Sequence, residues 1–295
     1  MPERSTGSTV PRRQLGRYLR DLRNQARLTV RAAAQELEWS EAKMWRIETG
    51  QTSLRSHDAE TMCKVYGASP DITRALMGLA KETKSRGWWH SYGDVIPEGF
   101  DVYIGLEEAA TSLDSYEAEL VPGLLQTEAY ARAVVREHNP HNTDEEIEQR
   151  VQLRIERQTL LTRAASPPTL RLVLNEAILH RTVAGPAVMA EQLRRLGDVA
   201  EWHNVVIRVV PFAAGLHRGA LSGPFVILRF PVLGDGTDSE PPTVYADGYT
   251  GCLYLDKPKE VEAFADAFDS IWKTALDEHA SRRLIYDMAR KHEQL

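Results

Sequence analysis

The stretch Ser40-Glu41-Ala42-Lys43-Met44-Trp45-Arg46-Ile47-Glu48-Thr49-Gly50 holds a helix start, a helix body and a helix stop in one short run. Ser40 has the short hydroxyl side chain that caps a helix N-terminus. Gly50 supplies a residue that tolerates positive φ, the usual end of a helix. Met44 and Ile47 stand three apart and share the face that turns inward, which leaves Glu41, Ala42, Lys43, Trp45 and Arg46 for the outer side. Upstream, Thr29 is placed to cap a second short helix running to Leu37 and rich in alanine (Ala32, Ala33, Ala34). Before that, Leu15, Tyr18, Leu19 and Leu22 recur at helical spacing across Gln14–Ala26, with Arg13, Arg17, Arg20, Arg23 and Arg27 on other faces. Two more helical patterns, His57–Tyr66 and Ile72–Lys84, complete a five-helix, all-α domain over residues 13–86.

The chain on either side reads differently. Residues 1–12 are polar and rich in Ser, Thr and Pro, the composition of a disordered arm. Aromatics, glycines and a proline crowd into Ser85–Asp101, a structured junction rather than a flexible linker. Beyond it, Thr111–Ala118, Gln126–Val135 and Asp144–Arg163 read as helices, Leu170–Leu174 as a strand and Pro186–Trp202 as a helix. Strand-like runs follow at Val205–Pro211, Pro224–Phe230, Thr243–Tyr245 and Cys252–Leu255, divided by Gly, Pro and Asp. Glu260–Ala275 and His279–His292 close the chain as helices. The expected fold class is therefore multidomain, with the all-α domain followed by an α+β domain over residues 87–295.

The length of 295 residues exceeds what one compact core usually covers. No apolar run reaches the roughly 20 residues needed to cross a bilayer, and the N-terminus lacks a secretory core. With two cysteines, Cys63 and Cys252, in different halves, the expectation is a reduced, cytoplasmic protein with no membrane partner. The net charge of −6 is unevenly spread. Residues 1–55 carry 11 basic and 6 acidic side chains, whereas the rest carries 25 basic and 36 acidic. Phosphate affinity follows local basic surface, so a basic module on an acidic body is compatible with a nucleic-acid partner.

Two short helices joined by a tight turn, with polar groups at the start of the second, meet the physical requirement of a helix-turn-helix. The first must be small where it crosses the second, and Ala33 and Ala34 are. Leu28-Thr29 with the alanine helix, Trp39-Ser40, Lys43 and Arg46-Ile47-Glu48-Thr49-Gly50 resemble the XRE-type, phage-repressor-like regulators. That resemblance implies a five-helix fold in which residues just after the Ser40 cap, and one turn later, read bases of double-stranded DNA. Glu41, Ala42 and Arg46 are the base-reading candidates: Arg46 toward a guanine edge, Ala42 toward a thymine methyl, Glu41 toward a cytosine amine. Ser40, Lys43, Thr52 and Arg55 are the phosphate candidates, and Thr29 and Arg31 at the start of the preceding helix complete the DNA-binding set. Trp45 is assigned either to the sugar-phosphate edge or to a neighbouring subunit. Val30 stands where many relatives carry glutamine. Glu38 stands where the turn often has glycine, so a left-handed backbone there costs roughly 1–2 kcal/mol. A single short helix reads few bases, so a homodimer on a palindromic operator is expected.

Further stretches resemble the WhiJ-type actinobacterial regulators: Gly87-Trp88-Trp89, Tyr103-Ile104-Gly105-Leu106-Glu107, Tyr116-Glu117 with Val121-Pro122-Gly123-Leu124-Leu125-Gln126-Thr127, Val210-Pro211-Phe212, Gly223-Pro224-Phe225 and Tyr254-Leu255. What this implies is a transcriptional regulator, antitoxin-like in some relatives and commonly encoded beside a small partner protein. The Val121–Leu125 run reads as a fold-defining turn. Alternatively it walls a ligand or partner pocket with Trp88, Trp89, Tyr116 and Gln126. His138 and His141 lie in a proline-broken loop without a third ligand, and Asp235–Glu240 lacks calcium-loop spacing, so no metal is expected. Ser166 and Ser222 lack a nucleophile elbow, Cys252 sits in an apolar run, and no phosphate-binding glycine loop is present. Neither a cofactor nor enzymatic activity is expected.

Overall fold

The computed structural model describes residues 9–84, 87–93, 95–97, 100–232, 238–249 and 251–295. Two compact units divide the chain. The first comprises residues up to Gly93 together with Pro97–Ala109, and the second comprises Asp94–Ile96 and Ala110–Leu295.

The first unit is helical: α1 (Thr9–Gln25), α2 (Val30–Glu36), α3 (Glu41–Glu48), α4 (Ser56–Val65), α5 (Pro70–Glu82), a 3-10 turn at Trp88–Tyr92 and α6 (Phe100–Ala109). Its core gathers one apolar stripe from each of the first five helices: Leu15 and Leu19, Ala33 and Ala34, Met44 and Ile47, Met62 and Cys63, Leu76 and Ala80. Each buried Leu, Ile or Met contributes about 2 kcal/mol, so this small core depends on every helix presenting its stripe. Helix α1 begins at Thr9, inside the stretch read as a disordered arm, and residues 1–8 lie outside the described residues. The unit also runs past residue 86. Helix α6 packs on α1 so closely that a side chain at Gly105 would meet Thr9 Oγ1 at 1.9 Å.

The second unit is built on a six-stranded mixed sheet: β1 (Ser112–Glu117), β2 (Thr169–Asn175), β3 (Val205–Val210), β4 (Phe225–Arg229), β5 (Thr243–Gly248) and β6 (Gly251–Leu255), in the order β3-β2-β1-β4-β5-β6. The β3-β2-β1 half is parallel and the β1-β4-β5-β6 half antiparallel. Helices α7 (Glu128–His138) and α8 (Asp144–Gln158) cross from β1 to β2, and α9 (Ala177–His180) and α10 (Pro186–Val199) from β2 to β3. Both crossovers step the same way along the sheet, so the right-handed rule sends their helices to one face. After α11 (Gly219–Ser222) and the antiparallel strands, α12 (Pro258–Thr274) covers the other face, bringing Phe268 and Ile271 against Tyr116, Val173, Phe225, Ile227 and Val244. Helix α13 (Glu278–Glu293) packs on α10 and β3. The all-α unit followed by a mixed sheet with helices is the expected fold class.

One strand of the second unit departs from its sequence reading. Thr111–Ala118 was expected as a helix, and it forms β1, the strand between β2 and β4. Ser112-Leu113-Asp114-Ser115-Tyr116-Glu117 looks too polar for a buried strand, but Asp114 accepts from Arg171 Nε at 2.6 Å and Nη2 at 2.7 Å, and from Arg229. Two neighbouring strands thus neutralise the charge that hid the strand.

Candidate nucleic-acid interface

Helices α2 and α3 are set by their caps. Thr29 and Ser40 both have extended backbones, and their hydroxyl oxygens accept from Ala32 N and Lys43 N, each at 3.1 Å. A hydroxyl that accepts in a cap keeps its own hydrogen to donate, the chemistry a phosphate contact needs. Between the helices, Glu38 has φ +55, the left-handed corner that the missing glycine implied, and Arg27 forms a second such corner (φ +56) before α2.

Helix α3 turns Met44 and Ile47 into the core and leaves Glu41, Ala42, Trp45 and Arg46 exposed. Trp45 is 55% exposed, an unusual position for an indole unless something covers it. The ammonium of Lys43 lies 3.3 Å from the centre of the Trp39 ring, a cation–π contact one turn back that holds the charge at the helix N-terminus. Arg31, Ser40 and Arg55 are exposed and Thr52 is half-buried.

Two features fix α3 against α1. A side chain at Gly16 would come within 2.5 Å of Ile47 O, so the two backbones can cross only at glycine. At the far end, Glu48 accepts from Arg23 Nε at 2.6 Å and Nη2 at 2.8 Å, both groups being almost fully buried. Arg23 Nη1 donates further to Leu28 O (2.8 Å) and Asn24 Oδ1 (3.0 Å), so one guanidinium joins α1, the corner before α2 and α3. Bonding to Glu48 raises the Arg23 pKa above its ordinary value, and burial raises that of the adjacent Tyr66 hydroxyl. Sequence reading missed this pair, since Glu48 looked like any polar helix residue.

Beside α3 opens a cleft of about 660 Å³ lined by Lys43, Arg46, Thr52 and Arg55, four of the expected contacts. Arg12, Lys84 and His90 line it too, with Asp58 the one acid among the described residues. These three were not foreseen: Arg12 fell in the stretch read as an arm, and Lys84 and His90 are distant in sequence. Arg12 Nε donates to Thr83 O at 3.1 Å, and burial lowers its pKa. Thr83 also accepts from Leu54 N (3.3 Å), tying the loop after α3 to the end of α5. The cleft is thus a cationic surface continuous with the exposed face of α3, suited to a polyanion.

Two family models match the chain: residues 14–76 a helix-turn-helix domain, and residues 100–287 the domain of unknown function DUF5753. The chain belongs to the DUF5753 family. No curated protein and no solved structure matches it. The helix-turn-helix match makes this DUF5753 protein an XRE-like, DNA-binding transcriptional regulator, with α2 and α3 as its helix pair. Among the described residues no helix is long and apolar enough to cross a membrane.

The four pocket candidates of this DUF5753 chain are shared between the two units. Trp88 and Trp89 belong to the first unit, where their rings meet edge to face at 6.0 Å and Trp89 is buried. Tyr116 and Gln126 belong to the second. The Tyr116 ring packs on His217 and Phe225, whereas Gln126 bonds Val121 O through Nε2 (2.6 Å) and accepts from Arg154 Nη1 (2.9 Å). His138 stacks edge-on against Tyr249. Asp235, Gly236 and Thr237 of the acidic loop lie outside the described residues.

Proposed function

We propose that this protein is a sequence-specific repressor of the WhiJ type. It acts in the cytoplasm as a homodimer on a palindromic operator, and its C-terminal unit receives a small-molecule or small-protein signal. The reading assigns it no enzymatic chemistry and no cofactor. The observation that carries it is the exposed face of α3, where Glu41, Ala42 and Arg46 stand together beside a cleft of cations. In this reading Arg46 bonds a guanine edge, Ala42 meets a thymine methyl and Glu41 accepts from cytosine. Thr29, Arg31, Ser40, Lys43, Thr52 and Arg55 hold phosphates. Trp45 covers the sugar-phosphate edge or the second subunit. The decisive experiment selects the operator from random DNA and compares Arg46→Ala with Lys43→Ala. Arg46→Ala relaxes preference at one position per half-site, at a cost of about 1–3 kcal/mol, while Lys43→Ala weakens all sequences alike. Unchanged affinity and unchanged preference in Arg46→Ala would show that α3 does not enter the groove.

A second reading, an antitoxin-like module that sequesters a small partner protein, draws on Phe212, Leu216 and Leu221. They are 58%, 81% and 78% exposed between β3 and β4. Large apolar side chains left in water are the anchors a partner would cover. Nuclease-resistant co-purification without any operator footprint would favour this reading over the first.

A further inference from the structure

Lys84 and His90 stand on a stretch of chain outside the helix pair. Lys84 follows α5, and His90 lies in the 3-10 turn Trp88–Tyr92. Both side chains are exposed, and both line the cleft beside α3. The turn that carries His90 is held from inside. Trp89 is buried, and a side chain at Gly87 would meet its ring at 2.3 Å, so only glycine lets the indole close under the turn. Ser91 Oγ donates to Trp88 O at 2.9 Å, and His90 Nδ1 lies 3.2 Å from Gly87 O. A carbonyl oxygen only accepts, so Nδ1 carries the hydrogen of that bond.

That bond decides what His90 can offer the cleft. With Nδ1–H committed to Gly87 O, the neutral ring has only the lone pair of Nε2 left, which cannot donate. The protonated ring gains an Nε2–H and a positive charge, the two things a phosphate oxygen binds. An imidazole titrates near pH 6.5, so the change falls close to neutrality. The charged groups around the cleft come from several elements. Arg12 belongs to α1, Lys43 and Arg46 to α3, Arg55 to the loop before α4 and Lys84 to the end of α5, with Asp58 of α4 the acid among the described residues. Asp101 of α6 acts on Arg12. Among the described residues the side chains of Arg46, Arg55 and Lys84 make no hydrogen bond and no ion pair. Elsewhere in the unit Arg23 pairs with Glu48 and Arg74 with Asp71. Exposed cations without partners are ordinary on a surface; several gathered around one recess beside a recognition helix fit a polyanion.

We propose that Lys84 and the protonated ring of His90 bind a backbone phosphate of the operator, outside the groove that α3 enters. Operator binding then takes up one proton per protomer. The phosphate belongs to DNA rather than to a free anion because Lys43 and Arg46 of α3 line the same recess, so one strand reaches both sets of cations. The site rests on the docking of α3 proposed above, and adds to it a contact and a dependence on pH.

The test measures the affinity of the full-length protein for the selected operator by fluorescence anisotropy, from about pH 5.5 to about pH 8 and at several salt concentrations. Affinity of the unaltered protein is expected to fall about tenfold per half-site as pH rises through that range. Over the same range the slope of log affinity against log salt shrinks by about 0.9 per protomer. His90→Gln removes both changes and binds throughout as the unaltered protein does at the highest pH. His90→Arg, permanently charged, keeps the tight binding at high pH. Lys84→Gln lowers the salt slope by about 0.9 per protomer at every pH. Operator binding whose pH and salt dependence is unaltered in both His90→Gln and Lys84→Gln would overturn the site and leave the α3 reading standing. If His90→Gln flattens the pH dependence but Arg46→Ala changes neither affinity nor preference, the phosphate site stands and the α3 docking falls. Saturable binding of inorganic phosphate that His90→Gln and Lys84→Gln abolish, with DNA binding unaltered in both, would assign the recess to a free anion and overturn the proposal.

Discussion

Replacing Glu48 with glutamine tests whether the buried Arg23–Glu48 pair sets the recognition helix. The substitution keeps the volume, removes the charge, and turns one of two accepting oxygens into a donor facing the guanidinium. The two bonds at stake measure 2.6 and 2.8 Å between side chains only 9% and 6% exposed, so solvent does little to replace them. Breaking one partner of such a pair costs roughly 3–5 kcal/mol. Arg23 keeps its bonds to Leu28 O and Asn24 Oδ1, which leaves the charge partly satisfied and puts the expected loss near the lower end, about 3 kcal/mol. For a unit of this size that corresponds to a fall of about 15 °C in melting temperature. Differential scanning calorimetry should show it in the transition of the helical unit, with operator affinity falling well below that melt. The double variant Arg23→Met/Glu48→Leu should recover most of the stability, because both charges leave together. A loss under about 1 kcal/mol in Glu48→Gln would refute the assignment, since that is the scale of an ordinary surface change.

Gly16→Val should unfold the helical unit or displace α3, because its Cβ would meet two backbone carbonyls within 3 Å; heteronuclear NMR of the α3 amides would report either result. Arg55→Ala should lower the slope of log affinity against log salt by about 1.8 for a dimer, about 0.9 for each lost phosphate contact, as read by fluorescence anisotropy. Glu117 has its pKa raised by burial to about 8 from the ordinary 4.5, with Asp247 adding to the rise and a bond from Ser115 opposing it. The folded chain therefore holds a proton that the unfolded chain has released across that window. Stability should fall as pH rises from about 4.5 to about 8 and level off above it. Urea melts of Glu117→Gln should lack that component; an unchanged pH profile would contradict the assignment.

The helical unit was legible because its signals are local. Thr29 and Ser40 announce their helices, Met44 and Ile47 their inner face, and the turn at Glu38 its left-handed corner, all within a few residues. What sequence reading missed is non-local. Arg23 and Glu48 are 25 residues apart, Asp114 and Arg171 57, and Asp114 and Arg229 115, so no periodicity could join them. Without those partners β1 looks like the start of a polar helix. Arg12, Lys84 and His90 reach the α3 cleft from other places in the chain, which no local pattern announces. The proline and glycine of Val121–Leu125 announce its turn, which forms as a 3-10 turn over Gly123–Leu125.

The position of β1 has a consequence for how the protein is made. It emerges first among the strands yet lies between β2 and β4, and its bond to Arg229 closes a separation of 115 residues. At about 5–20 residues per second the ribosome needs roughly 6–23 s to supply that partner. The helices of the first unit all precede β1 in the chain and can fold within that interval. A nascent chain is thus able to carry a folded helix-turn-helix while its sheet is still incomplete. Until β4 arrives, the charged strand Ser112–Glu117 waits with one side unpaired, and the polarity that disguised it in the sequence keeps that edge soluble.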